Sequence, residues 1–322
     1  MIDADAVTSP PDSAGNDLLP YLARPRHMIV EACSRCNFVC PLCLWTKNSH
    51  HGCLQPETFQ RFIDEAGPHL ERLCFAGRGE PTLNPQLYSI LKKSVQAGVI
   101  TDLATNGSSL LTDVDAILNS GIDFVNVSIE ADNPEDYARY RVNGDFYAVI
   151  GGMARLAQEK ARRGLVKPGL RTCSVIFNYN EDRLNELRRF YGNLGFEGFI
   201  FKSAHLGHGQ LPEEETVLEE RWLPRDPHKR RVQHRTAERP QPICGFLKRG
   251  HLLWNGNIGR CAIEHQLMIA GNILEQTFDE IWLGEKSRKI VRTVIEGRFS
   301  KCARCSFSGR DMKEQQAELY LI

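Results

Sequence analysis

Residues 31–45 read EACSRCNFVCPLCLW and place four of the chain's eleven cysteines within eleven positions. Three of them, Cys36, Cys40 and Cys43, are spaced C-x3-C-x2-C. Thiolates are the usual ligands of iron–sulfur clusters, zinc and other soft metals. Three ligands on one short loop can hold three irons of a 4Fe–4S cube and leave the fourth iron open. A structural zinc site more often shows two C-x2-C pairs. Zinc and unliganded core thiols remain alternatives on this motif alone, and Cys33 lies outside it.

Outward from the loop, a strand–helix unit recurs from His27 to about Ser203. PETFQRFIDEAG has Pro56 suited to the first turn and Phe59, Phe62, Ile63 and Ala66 on one face, with Gly67 suited to end the helix. NPQLYSILKKSVQAG, TDVDAILNSG and NEDRLNELRRFYGNLG repeat the pattern and end at Gly98, Gly121 and Gly195. Strand candidates ERLCFAG, VITDLAT, DFVNVSIE and FEGFIFK alternate with these helices. Such alternation predicts a parallel sheet. About six units are too few for a closed eight-stranded barrel and enough for an open one.

The 322 residues are 42% apolar and 25% charged, with 40 basic and 40 acidic side chains. The balanced charge argues against a nucleic-acid or anionic-membrane partner. There is no run of eighteen apolar residues and no export signal, so the reading is a cytoplasmic protein that does not span a membrane. In that reducing setting the cysteines read as metal ligands and free thiols.

The downstream motifs settle what the cysteine loop serves. CFAGRGEPTLNP follows one helix later, LATNGSSL follows the next strand, and VSIEADNPEDYARYR the one after. In this order they resemble the radical S-adenosylmethionine (SAM) superfamily, over about residues 27–203. The resemblance implies a partial (β/α)6 barrel and a cluster held by Cys36, Cys40 and Cys43, chelated by SAM. It implies that Gly79 and Glu80 hold the methionine ammonium, and that Arg141 pairs with the methionine carboxylate. Ser128 then contacts the ribose or carboxylate, and Thr105 and Asn106 line the neighbouring strand end. Two departures stand out: Arg78 interrupts the commoner Gly-Gly-Glu, and Leu42 replaces an aromatic that often packs near the adenine. The alternation in FVNVSIE agrees, with Val125, Val127 and Ile129 set for the helices and Asn126, Ser128 and Glu130 for the lumen.

Beyond a polar, locally basic stretch at 204–240, read as a linker or as a patch for an anionic substrate group, four more cysteines follow. LLWNGNIGRC is expected to form a hairpin on a type I′ Asn-Gly turn. The pattern C-x11-G-x4-C … GNI … C-x2-C resembles the SPASM auxiliary-cluster domain or its shorter twitch form. That implies one auxiliary 4Fe–4S cluster on Cys244, Cys261, Cys302 and Cys305, with a four-thiolate zinc site as the alternative. The expected organisation is a disordered lead-in over 1–25, the barrel over 26–203, the linker over 204–240 and a small α+β cluster domain over 241–322.

Together these imply an oxidoreductase or epimerase with SAM and two 4Fe–4S clusters as cofactors. A 5′-deoxyadenosyl radical would abstract hydrogen from a small polar substrate of the sugar or aminocyclitol type, as in secondary metabolism. A flavodoxin- or ferredoxin-type donor would supply electrons. Peptide or protein maturation is the alternative within the family; a non-catalytic iron–sulfur or zinc protein is the alternative outside it. Cys33, Cys53, Cys74 and Cys173 are candidate hydrogen donors. Cys173 shares a face with Val175 and Phe177 and is expected to point at the helices, whereas Cys74 is expected to reach the lumen.

Overall fold

The computed structural model describes residues 20–43, 51–204, 206, 212–230, 244–261, 268–299, 302 and 318–321. Six parallel strands, β1 (His27–Val30), β2 (Arg72–Phe75), β3 (Ile100–Thr105), β4 (Phe124–Ser128), β5 (Gly169–Ile176) and β6 (Gly198–Ser203), lie side by side in chain order. Between them run α1 (Pro56–Ala66), α2 (Leu87–Gln96), α3 (Leu110–Leu118), α4 (Pro134–Tyr140), α5 (Phe146–Arg162) and α6 (Leu184–Asn193). The sheet does not close. β7 (His251–Leu252) pairs with β1, and β8 (Asn257–Gly259) and β9 (Ile269–Asn272) continue outward from it. The other edge, β6, carries antiparallel β10 (Glu318–Leu321). The result is a partial (β/α)6 barrel with a C-terminal segment built onto its open side.

The helices form where sequence and packing agree. In α1, Pro56 occupies the first turn, and Phe59, Phe62, Ile63 and Ala66 are buried. Phe59 meets Phe62 and Phe75 at ring-centroid distances of 5.9 and 5.6 Å. Each such side chain contributes roughly 1.5–3 kcal/mol on burial. Gly98, Gly121 and Gly195 end their helices in the left-handed region, at φ of 75°, 76° and 92°, which costs glycine little. Gly67 does not: its φ is −50° and the chain continues into a short 3-10 turn, Gly67–His69.

Register defines the two faces of the barrel. Leu73, Phe75, Leu103, Val125, Val127, Leu170 and Ile176 are buried in the core beneath the helices. The alternate residues face the lumen, because paired residues of parallel neighbours project to the same side. Asn126 pairs with Arg171, and Ser128 with Cys173. Cys173 therefore stands on the lumen face beside Ser128, which corrects its assignment to the helix side. The helix face of β5 is Leu170, Thr172, Ser174 and Ile176. Its two hydroxyl residues gave that face the more polar look; Ser174 settles there by donating to the Ile129 carbonyl. Cys74, paired with Asp102, faces the lumen as expected.

After the barrel come α7 (Pro212–Trp222) and, within the C-terminal segment, α8 (Phe278–Trp282) and α9 (Glu285–Ile295); α8 holds the segment to the barrel. Phe278 packs edge-on against Phe62 at 6.0 Å, and a Thr277/Glu280 capping box starts α8. The predicted hairpin forms, with a different turn. Gly256 N donates to Leu253 O, and Gly256 alone is left-handed, at φ 86°. A type I′ turn would need Asn255 left-handed as well. Part of the stretch expected as a linker is helical: Trp222 and Leu223 are buried against Leu42, Phe177 and Leu206.

Candidate active site at the mouth of the barrel

The C-terminal ends of β1–β6 point their following loops to one side, where such folds place their chemistry. The loop after β1 carries the three-thiol motif. Cys36 Sγ accepts a hydrogen bond from Phe38 N at 3.4 Å and lies 3.9 Å from Asn106 Nδ2. Cys40 Sγ lies 3.9 Å from Arg141 Nη1, and Cys43 N donates to Cys40 O at 3.0 Å. Burial pushes the Cys40 thiol up to about 11, against the pull of the Arg141 charge. Among the described residues no three His, Cys, Asp or Glu groups converge on a single metal ion.

Gly79 lies directly beneath this loop. A Cβ there would come within 2.2 Å of Cys33 O and 2.5 Å of Arg35 O. Glu80 N donates to Arg35 O at 2.7 Å, tying the two loops together. The Glu80 carboxylate is buried and surrounded by donors. Oε1 accepts from Thr82 N, Thr82 Oγ1 and Thr105 Oγ1 at 3.1, 2.7 and 2.6 Å; Oε2 accepts from Asn106 N at 2.6 Å. Burial raises its pKa, and these donors work in the opposite direction. Thr105 thus sits on the helix side of β3 with its hydroxyl on Glu80, supporting the strand end from behind rather than lining it. Asn106 does reach the mouth, donating from Nδ2 to Asn37 Oδ1 at 2.8 Å.

Arg141 ends α4 and turns inward. Burial opposes its charge, but Glu130 accepts from both Nε and Nη2 and holds the guanidinium well above its ordinary range. This fork against carboxylate is a strong pairing, and it leaves Nη1 directed at Cys40. Glu130 is the residue that role-by-motif reading missed; its place in the polar alternation of β4 was the available signal. Ser128 lies half-buried on the lumen face. Leu42 is buried against Phe177, Trp222 and Leu223, so this part of the loop is anchored by apolar packing.

Deeper in the lumen, Arg72 donates to Asp102 Oδ2 at 3.0 Å, and the Arg171 guanidinium stacks over Phe124. Burial pushes Asp102 up to about 6, against Arg72 and Arg171, and pushes the Cys74 thiol up to about 12. At the rim, burial pushes Glu31 up to about 7 despite Arg78. Glu31 Oε2, Asp102 Oδ1 and Asn126 Oδ1 are buried acceptors with no hydrogen-bond partner among the described residues. Such groups are costly unless a ligand or water supplies a donor.

A second thiol group lies in the C-terminal segment. Cys244, Cys261 and Cys302 pack against one small core of Tyr21, Leu247, Met268, Val291 and Val294. Cys305 lies outside the described residues. Arg260, next to Cys261, is fully buried, with no carboxylate partner among the described residues. It donates to Ser287 Oγ, Tyr21 O, Leu247 O and Trp282 O at 2.7, 2.9, 2.9 and 2.6 Å, and stacks on the Trp282 ring. Burial alone lowers its pKa to about 9.

Residues 30–191 match the family model described as the radical SAM superfamily, and residues 244–306 match one described as an iron–sulfur cluster-binding domain. The tungsten-containing aldehyde ferredoxin oxidoreductase cofactor-modifying protein of Pyrococcus furiosus is 27% identical over 185 residues, which cover 54% of this chain and 50% of that protein. The chain thus spans about half the length of that curated relative. Among solved structures, BtrN in complex with AdoMet and 2-DOIA superposes with a TM-score of 0.51 at 17% identity, covering 92% of this chain and 98% of that one. SuiB of Streptococcus suis bound to precursor peptide SuiA gives 0.63 at 14% identity, covering 95% and 77%. At these identities the likeness is one of fold.

Proposed function

The chain belongs to the radical SAM superfamily and carries a C-terminal iron–sulfur domain, and from this we propose that it abstracts a hydrogen atom from a small, polar, donor-rich substrate in the barrel lumen. SAM, bound to a reduced cluster, supplies the radical that such an abstraction needs, while the protein holds and orients the partners. The residues fit that assignment. Cys36, Cys40 and Cys43 would ligate the cluster. Gly79 gives the close approach that brings the Glu80 loop under it, with Glu80 and Asn106 holding that loop. Arg141 places a buried positive charge beside the cluster thiols, where an anion is favoured. Cys244, Cys261, Cys302 and Cys305 would hold one auxiliary 4Fe–4S cluster, making two in all, with electrons from a flavodoxin- or ferredoxin-type protein.

One observation carries the substrate class: the unpartnered acceptors Glu31 Oε2, Asn126 Oδ1 and Asp102 Oδ1 at lumen positions. Hydroxyl and amine groups of a sugar or aminocyclitol would satisfy them. Cys173, paired with Ser128 on the lumen face, is our candidate among the thiols to return a hydrogen atom; without that return the outcome would be a two-electron oxidation.

The test uses the iron-reconstituted chain, SAM and dithionite under anaerobic conditions. Aminated and hydroxylated rings should raise 5′-deoxyadenosine release over the substrate-free rate. Release stimulated only by leader-bearing peptides would replace this reading with peptide maturation. Turnover in heavy water separates the outcomes. Deuterium in a product isomeric with substrate, lost in Cys173→Ala, marks epimerisation; loss of two hydrogens marks oxidation.

A further inference from the structure

We propose that Cys33 and Cys53 form a reversible disulfide that clamps the two ends of the cluster-bearing loop. The inference needs only the fold and stands apart from the substrate reading. The chain leaves β1, runs through Cys36, Cys40 and Cys43, and returns at residues 51–54 antiparallel to its own start. Ser34 N donates to Gly52 O, and Leu54 N to Ala32 O, both at 2.9 Å. These bonds bracket the Cys33–Cys53 bridge, so the two cysteines are a non-hydrogen-bonded pair. In that arrangement Cα atoms stand about 4.5 Å apart with their side chains close, within the ~4.4–6.8 Å that a disulfide takes. The two sulfurs are 2.9 Å apart. Ser34 Oγ and Gly52 N add a further bond across the same ladder, at 2.8 Å. The bond can therefore form without moving the backbone.

The pair is also chemically asymmetric. Cys33 is 1% exposed, whereas Cys53 is half-buried and reachable. Arg35 Nη2 donates to Cys53 Sγ at 3.4 Å. The co-reactant is a small-molecule or protein disulfide. The Cys53 thiolate attacks one of its sulfurs and expels the first thiolate, giving a mixed disulfide. Cys33 then attacks the Cys53 sulfur and expels the second. The two thiols of the chain lose two electrons and two protons, and the co-reactant leaves as two thiols. Neither cysteine belongs to the three-thiol motif or to the lumen face of a strand. Once joined, both are withdrawn from competition for iron, and Cys36, Cys40 and Cys43 remain the loop's ligands.

The test is a redox titration of the full iron-free chain. The protein is equilibrated anaerobically across reduced-to-oxidised glutathione ratios, quenched in acid, unfolded, alkylated with N-ethylmaleimide and mapped by mass spectrometry. Cys33 and Cys53 should lose alkylation together and appear as one cross-linked peptide pair lighter by two hydrogens. Cys74 and Cys173 should stay alkylated, and in Cys33→Ser, Cys53 should form no intramolecular cross-link. Independent alkylation of Cys33 and Cys53 at every ratio would overturn the proposal. So would a cross-link from Cys53 to any other cysteine in the wild-type chain.

Discussion

Arg260 shows how one side chain organises a small domain. Its four hydrogen bonds join the stretch after Cys244, the strand before Cys261 and the helix α9 that leads toward Cys302. Arg260→Ala would leave three buried carbonyls and a serine unpaired, a loss on the order of 4 kcal/mol. The thermal midpoint of the iron-free chain should fall accordingly, with a smaller fall in Arg260→Lys. Asp102 makes a separate prediction. Its folded pKa, about 6, lies above its ordinary 3.8. The stability it contributes is therefore full below about pH 4 and lost as pH rises through 6, to ~3 kcal/mol in total. Asp102→Asn should remove that part of the slope when unfolding is measured from pH 4 to 7. At this scale the three-thiol motif was legible in the sequence as a candidate ligand set, because its spacing lies along one loop. The Glu130 fork on Arg141 was not, since the partner is fixed by folding rather than by motif.

At the scale of elements, the strands and helices of the barrel followed from periodicity and from glycines that stop helices. What misled was polarity within β5. Lumen faces of barrels carry apolar residues such as Val175, and helix faces tolerate Thr172 and Ser174, so the alternation alone could not say which side was which. Register with β4 decides it. The tip of the β7–β8 hairpin was equally invisible as a partner of the cysteine loop. The Trp254 ring lies 2.1 Å from where a Gly52 Cβ would sit. Gly52→Ala must therefore displace Trp254, and we expect higher Trp254 solvent exposure by fluorescence quenching and faster chelator removal of iron. An unchanged quenching profile would contradict this packing.

Across the whole molecule, the C-terminal segment is not a separate bead on the barrel. It continues the same sheet through β7 and packs α8 onto α1. Pairing between distant strands depends on closure of long loops, which no local pattern reports, so this continuity was not legible in the sequence. The account predicts that barrel and cluster segment unfold together. Phe278→Ala, which opens the contact with Phe62, should lower one calorimetric transition by ~3–5 kcal/mol in stability rather than split it in two.

The central claim is that Cys36, Cys40 and Cys43 hold the cluster on which SAM is cleaved. The most direct measurement is 5′-deoxyadenosine release by the reconstituted, dithionite-reduced chain, wild type against the Cys36→Ala, Cys40→Ala, Cys43→Ala triple variant. The wild type should release it, and the variant, with unchanged far-UV circular dichroism, should release none. Undiminished release by the triple variant would contradict the account.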